Sequence, residues 1–120
     1  KFIESISVKP AQIGADYKLA DSFYVDKSTL HSFEVKFNSK LDALKNDVFV
    51  SPANRVQINY IEADSSANAE KVYKEMVGLV GKSNVVALKG NVIVEVITNN
   101  TDSKKRIVKL LSPNKVHTNY

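Results

Sequence analysis

The chain has 120 residues, with 25% charged residues, 8% aromatic residues and a formal net charge of +4. That length suits one domain that buries a core without staples, and the apolar runs are far shorter than the ~20 residues of a membrane-spanning helix. The absence of cysteine excludes disulfides, thiol catalysis and cysteine-ligated zinc.

The chain begins at Lys1 and not at a methionine. A cleaved signal peptide, a trimmed lipoprotein linker or an excised domain would each leave such a start. Together with the missing cysteine, this favours an exported or cell-envelope setting. Phe2, Ile6 and Val8, alternating with Glu4, Ser5 and Ser7, predict a first strand closed by Pro10. Residues 12–16 read as a loop around Gly14. Tyr17-Lys18-Leu19 and Phe23-Tyr24-Val25 are short strand candidates, broken at Asp21-Ser22.

Residues 28–45 carry two patterns. Leu30, Phe33, Phe37, Leu41 and Leu44 recur at helical spacing, and Ser28 or Thr29 can cap the start. Residues 33–37 also alternate as a strand would. Length favours one helix over 28–45; the competing assignment is a strand at 30–37 and a short helix from Ser39. Asn46-Asp47 reads as a break, Val48-Phe49-Val50 as a short strand, and residues 51–54, with Pro52, as a turn.

Local signals agree best over residues 55–98. Val56, Ile58 and Tyr60 alternate with Gln57 and Asn59, which is a strand with one apolar face. Asp64, Ser65 and Ser66 can each cap a following helix. That helix shows an apolar stripe of Ala69, Val72, Tyr73, Met76, Val77 and Val80. Glu70 and Lys74 form a favourable i, i+4 pair. Gly78 is read as close packing on the sheet, with a ligand at its bare backbone as the alternative, and Gly81 as the helix stop. Residues 84–88 and 91–98 then form a hairpin around Lys89-Gly90. This loop would set Leu88 opposite Asn91, Ala87 opposite Val92 and Val85 opposite Val94. Val85, Ala87, Val92, Val94 and Val96 fall on one face. Val86, Leu88, Ile93 and Ile97 fall on the other, beside Glu95. Both faces are apolar, so each needs a cover.

After a polar break at 99–103, residues 104–111 read as a short helix with Ile107, Leu110 and Leu111 inward, stopped at Ser112-Pro113. Residues 113–120 read as a loose tail. The whole forms a single compact α+β domain over 1–120, in the order β(β)αβαββα. The expected sheet is antiparallel or mixed, with four to six strands and two or three helices mainly on one face. The crossover within 55–88 could be of the split type found in ferredoxin-like folds.

Functional signals are sparse. Residues 99–120 hold Lys104, Lys105, Arg106, Lys109 and Lys115 against Asp102 alone, so the whole charge excess sits there while residues 1–98 balance. Lys104, Lys105, Arg106 and Lys109 are therefore the candidate anion- or nucleic-acid-binding group, although no exposed aromatics or recognised motif accompany them. His31 and His117 are too few and too far apart in sequence to predict a metal site. Glu95, flanked by valines, and the Glu62/Asp64 pair are the carboxylates a small enzyme would use. No nucleophile elbow or phosphate loop occurs; Asn99-Asn100-Thr101 matches a glycosylation acceptor. Phe33 and Phe37 could line a pocket between helix and sheet. The leading expectation is a non-enzymatic binding module for a protein or small apolar molecule, with no cofactor or metal. If helices cover only one sheet face, Val86, Leu88, Ile93 and Ile97 become the partner surface.

Overall fold

A computed structural model describes residues 2–79 and 84–120. Val80, expected on the helix stripe, and Gly81, expected as its stop, lie outside the described residues, as does Lys1. The described fold is α+β, with five helices around one sheet of strand order β1-β2-β3-β5-β4-β6, every neighbouring pair antiparallel.

The N-terminal residues form two short helices, α1 (Phe2–Ile6) and α2 (Pro10–Ile13), in place of the expected strand. The alternation misled because Ile3, which breaks it, is the fully buried residue, while Phe2 is 43% exposed. Pro10 starts a helix instead of closing a strand, since at a first helical position its missing N–H and fixed φ cost nothing. The buried Tyr60 hydroxyl accepts the Val8 N–H at 2.9 Å and pins the segment between the helices.

The two strand candidates that follow are one edge strand, β1 (Lys18–Tyr24), continuous through an irregularity between Leu19 and Asp21. Helix α3 (Lys27–Phe37) is capped by Asp26, whose carboxylate accepts the Thr29 N–H at 2.8 Å. It ends at Asn38, left-handed at φ 47°, so 28–45 is not one helix. Nor is it strand then helix: Leu41–Val50 is a ten-residue strand, β2, running straight through the expected break at Asn46-Asp47. Leu41 and Leu44 keep the helical spacing of Phe33 and Phe37 by coincidence, because both elements bury against the same cluster. Glu34 holds the joint: it accepts the Leu41 N–H at 3.0 Å, and that bond holds its carboxyl below the usual range.

After the turn at 51–54, where Ser51 N–H meets the Asn54 carbonyl at 2.9 Å, come β3 (Arg55–Ala63) and α4 (Ser66–Leu79). Ser65 is the residue that caps α4, through the Asn68 N–H. The hairpin is β4 (Asn84–Lys89) and β5 (Val92–Ile97). Its faces are those the pattern predicts, but the loop is Gly90-Asn91, so Leu88 opposes Ile93 and Ala87 opposes Val94. Gly90, at φ 59°, takes the first central position, where a primed hairpin turn needs a glycine. Strand β5 lies between β3 and β4, so the β3–α4–β4 crossover is split.

Helix α5 spans Thr101–Leu111, capped by Asn100 through the Ser103 N–H at 2.8 Å. The expected loose tail contains a short strand, β6 (Lys115–His117), paired with β4. It is held by the Asn114 N–H on the Leu88 carbonyl and by a 2.9 Å ion pair of Lys115 with Glu70. That pair takes Glu70 away from the expected Lys74 partnership.

Helices cover both faces of the sheet, not mainly one. Ile3, Ile13, Ile107 and Leu111 from α1, α2 and α5 pack with Phe49, Val56, Ile58, Tyr60, Val85 and Val94. Phe37, Ala69, Val72 and Met76 from α3 and α4 pack with Leu44, Ile61, Val86, Leu88 and Ile93 on the other side. Two apolar strand faces demand two covers, and the helices are divided accordingly.

Candidate ligand cleft between α3 and α4

On the α3/α4 face, each of four adjacent strands changes character along its length. Leu44, Ile61, Ile93 and Val86 are buried beneath the helices. One step further along the same face stand Asn46, Asn59, Glu95 and Asn84, all half-buried. Asn46 pairs in register with Asn59, and Asn59 with Glu95, while Asn84 stands opposite Ile97, diagonally from Glu95, so these side chains form a bent row across the sheet.

The row is hydrogen-bonded from end to end. Asn46 Nδ2 donates to Asn59 Oδ1 at 2.6 Å, and Gln57 Nε2 donates to the same oxygen at 3.2 Å. Asn59 Nδ2 donates to Glu95 Oε1 at 3.0 Å, and Asn84 Nδ2 to Glu95 Oε2 at 3.4 Å. The donors run inward from both ends and terminate on the Glu95 carboxylate.

This row floors a cleft of about 410 Å³. Its walls are apolar: Phe23 and Val25 from the β1 end, Phe33 and Phe37 from α3, Met76 and Leu79 from α4. The Phe33 and Phe37 rings stack with centroids 6.3 Å apart. Lys36, the one cation among the described lining residues, has its ammonium over both rings, 5.9 and 5.6 Å from their centroids. Lys71 Nζ of α4 donates to the Asn38 carbonyl at the end of α3 at 2.7 Å, which ties the two helices together. The polar residues of this sheet level give the helices nothing apolar to bury there. A concave site of this volume, with apolar walls and a few convergent polar groups, has the anatomy of a small-molecule pocket.

The opposite face carries a buried ionic cluster that the sequence reading missed. Lys45 Nζ lies 3.3 Å from Asp47, 3.2 Å from Glu4 and 3.1 Å from Ser7 Oγ, and 5.7 Å from the Tyr60 ring centroid. Asp47 also accepts the Ser22 hydroxyl at 2.6 Å. Tyr24 donates to Glu4 at 2.9 Å. The Tyr24 and Lys45 bonds hold the Glu4 carboxyl below its usual range, while partial burial and the bond to Glu4 push Tyr24 up to about 12. Every group here is matched, and the cluster fastens α1 to β1 and β2. Its charged groups come from α1 and β2, and two of its members, Ser22 and Asp47, stand where breaks were expected.

The residues singled out from sequence are dispersed. Val86, Leu88 and Ile93 are buried under α4 and Ile97 is half-buried, so the condition for a partner surface there fails. Among the basic residues, Lys104 is 3% exposed and donates to the Asn119 carbonyl. Lys105 lies 5.4 Å from the Tyr120 ring centroid, and Arg106 donates to the Ile13 carbonyl at 2.9 Å. Lys109 is exposed in the last turn of α5, where it complements the helix dipole. Three of the four thus serve intramolecular contacts. Glu62 accepts the Ile3 N–H and Asp64 the Asn68 side chain, so each ends a helix connection. His31 is exposed beside Glu34, and His117 lies on β6; no cluster of metal-ligating side chains occurs among the described residues. Gly78 is not packed on the sheet: a Cβ there would meet open space. No described helix is long and apolar enough to cross a membrane.

Glu95, Phe33 and Phe37, considered separately in the sequence, meet at the cleft. The amides Asn46, Gln57, Asn59 and Asn84 were missed. Their signal was legible only with strand register in hand, as four adjacent strands turning polar toward the same end of one face. No protein-family model, curated protein or solved structure matches the chain.

Proposed function

We propose that this chain is a non-enzymatic binding module whose α3/α4 cleft takes a small amphipathic molecule. The observation that carries this reading is the pairing of apolar walls with a hydrogen-bonded polar floor in one cavity of about 410 Å³. Amides hold and orient a ligand without exchanging protons near neutral pH, and the floor has four of them to one carboxylate. That composition suits recognition better than acid–base catalysis, which needs a group that gives and takes a proton at the reacting atom.

A neutral probe tests the reading. Titration of 1-octanol into isotope-labelled protein is expected to shift the backbone amides of Asn46, Asn59 and Glu95 and the Met76 methyl saturably. The expected Kd is on the order of 0.1–1 mM for so small a ligand. Shifts scattered over the surface, or none that saturate, would refute a cleft site.

A further inference from the structure

We infer that the cleft selects molecules whose polar end is a cation or a cluster of N–H donors, such as a primary ammonium or an amidinium on an apolar body. This rests on the cleft being the binding site. The argument is one of donor and acceptor supply. The Asn46, Gln57, Asn59 and Asn84 side-chain amides all direct an N–H within the row, the first two onto Asn59 Oδ1 and the last two onto Glu95. The row therefore spends donors on itself and ends on an anion.

A carboxylate has about four lone-pair sites; each Glu95 oxygen receives one amide hydrogen, leaving acceptor capacity on both. Glu95 has no ion pair among the described residues. Among the described residues, the two cations at the cleft and its margin are directed elsewhere: Lys36 over the Phe33 and Phe37 rings, and Arg55 onto Gln57 Oε1 at 3.3 Å. A half-buried carboxylate under apolar walls attracts a cation more strongly than a surface one, because less water screens it. A ligand carboxylate or phosphate would instead meet Glu95 with like charge.

Three eight-carbon probes of equal reach separate the outcomes: octylammonium, 1-octanol and octanoate, compared by isotope-resolved titration at pH 7. Octylammonium is expected to bind at least about tenfold more tightly than 1-octanol, with octanoate weakest. Glu95→Gln, which preserves shape, is expected to abolish the ammonium preference, so that octylammonium and 1-octanol bind this variant within about twofold of each other. Equal affinity for all three, tighter octanoate, or a preference that survives Glu95→Gln would each overturn the charge selection while leaving the cleft reading intact. If none of the three binds in the cleft, both fall.

Discussion

Lys45→Met tests whether the ionic cluster on the α1 face holds the fold together. Lys45 and Asp47 keep only 10% and 3% of their side-chain surface exposed, and their charges lie 3.3 Å apart. Methionine fills nearly the same space, so little packing is lost. What remains is a buried Asp47 carboxylate with the Ser22 hydroxyl as its remaining partner in the cluster. Orphaning one member of a buried pair costs about 3–5 kcal/mol. At roughly 3–5 °C per kcal/mol for a domain of this size, Tm should fall by about 10–20 °C. Urea unfolding followed by circular dichroism should show a lower midpoint at unchanged slope. Lys45→Met/Asp47→Asn should be less destabilised than the sum of its two single variants, because neither change then strands a charge. If Lys45→Met stays within about 0.5 kcal/mol of the parent, or if the two costs simply add, Asp47 does not depend on Lys45 and the reasoning is wrong.

Tyr60→Phe should cost about 1–3 kcal/mol in the same assay, because it leaves the Val8 N–H without its acceptor beneath α1 and α2. Gly78→Ala should stabilise by about 0.5–1 kcal/mol, since the added methyl meets open space and alanine is the better helix former; a lower Tm would mean that α4 is packed at this point. Tyr24, raised to about 12 in the fold from an ordinary ~10, should contribute stability that is complete below pH 10. That contribution should be lost as pH rises from 10 to 12, because the unfolded chain releases its proton first. Guanidinium midpoints across that window should fall more steeply for the parent than for Tyr24→Phe, and parallel curves would refute the assignment.

The central elements were legible because their signals are local. Val56, Ile58 and Tyr60 alternate, Ala69 to Met76 follow a helical stripe, and Gly90 marks a turn; each pattern lies within a few residues of its cause. Even the division of the β4–β5 hairpin into faces follows from alternation alone, and only the loop position was off, by one residue. Where two periods overlapped, as in 28–45, nothing local could decide. Asn38 stops α3 in a left-handed turn, and β2 is a strand because β1 and β3 flank it on both sides. Residues 2–6 likewise became helix because Ile3 finds a sheet face to cover.

The α+β class, the positions of β3, β4 and β5 and the apolar character of both hairpin faces were determined by the sequence alone, since apolar periodicity states which faces must leave water. Only the tertiary structure decided which helices cover which face. The same step buried Val86, Leu88 and Ile93, spent Lys104 and Arg106 on internal contacts, and brought Asn46, Asn59, Glu95 and Asn84 together on one face. Alignment across strands depends on register and strand order. Those are set by pairings between residues up to 40 positions apart, such as Gln57 with Ile97 and Lys18 with Val50, and no local pattern encodes them.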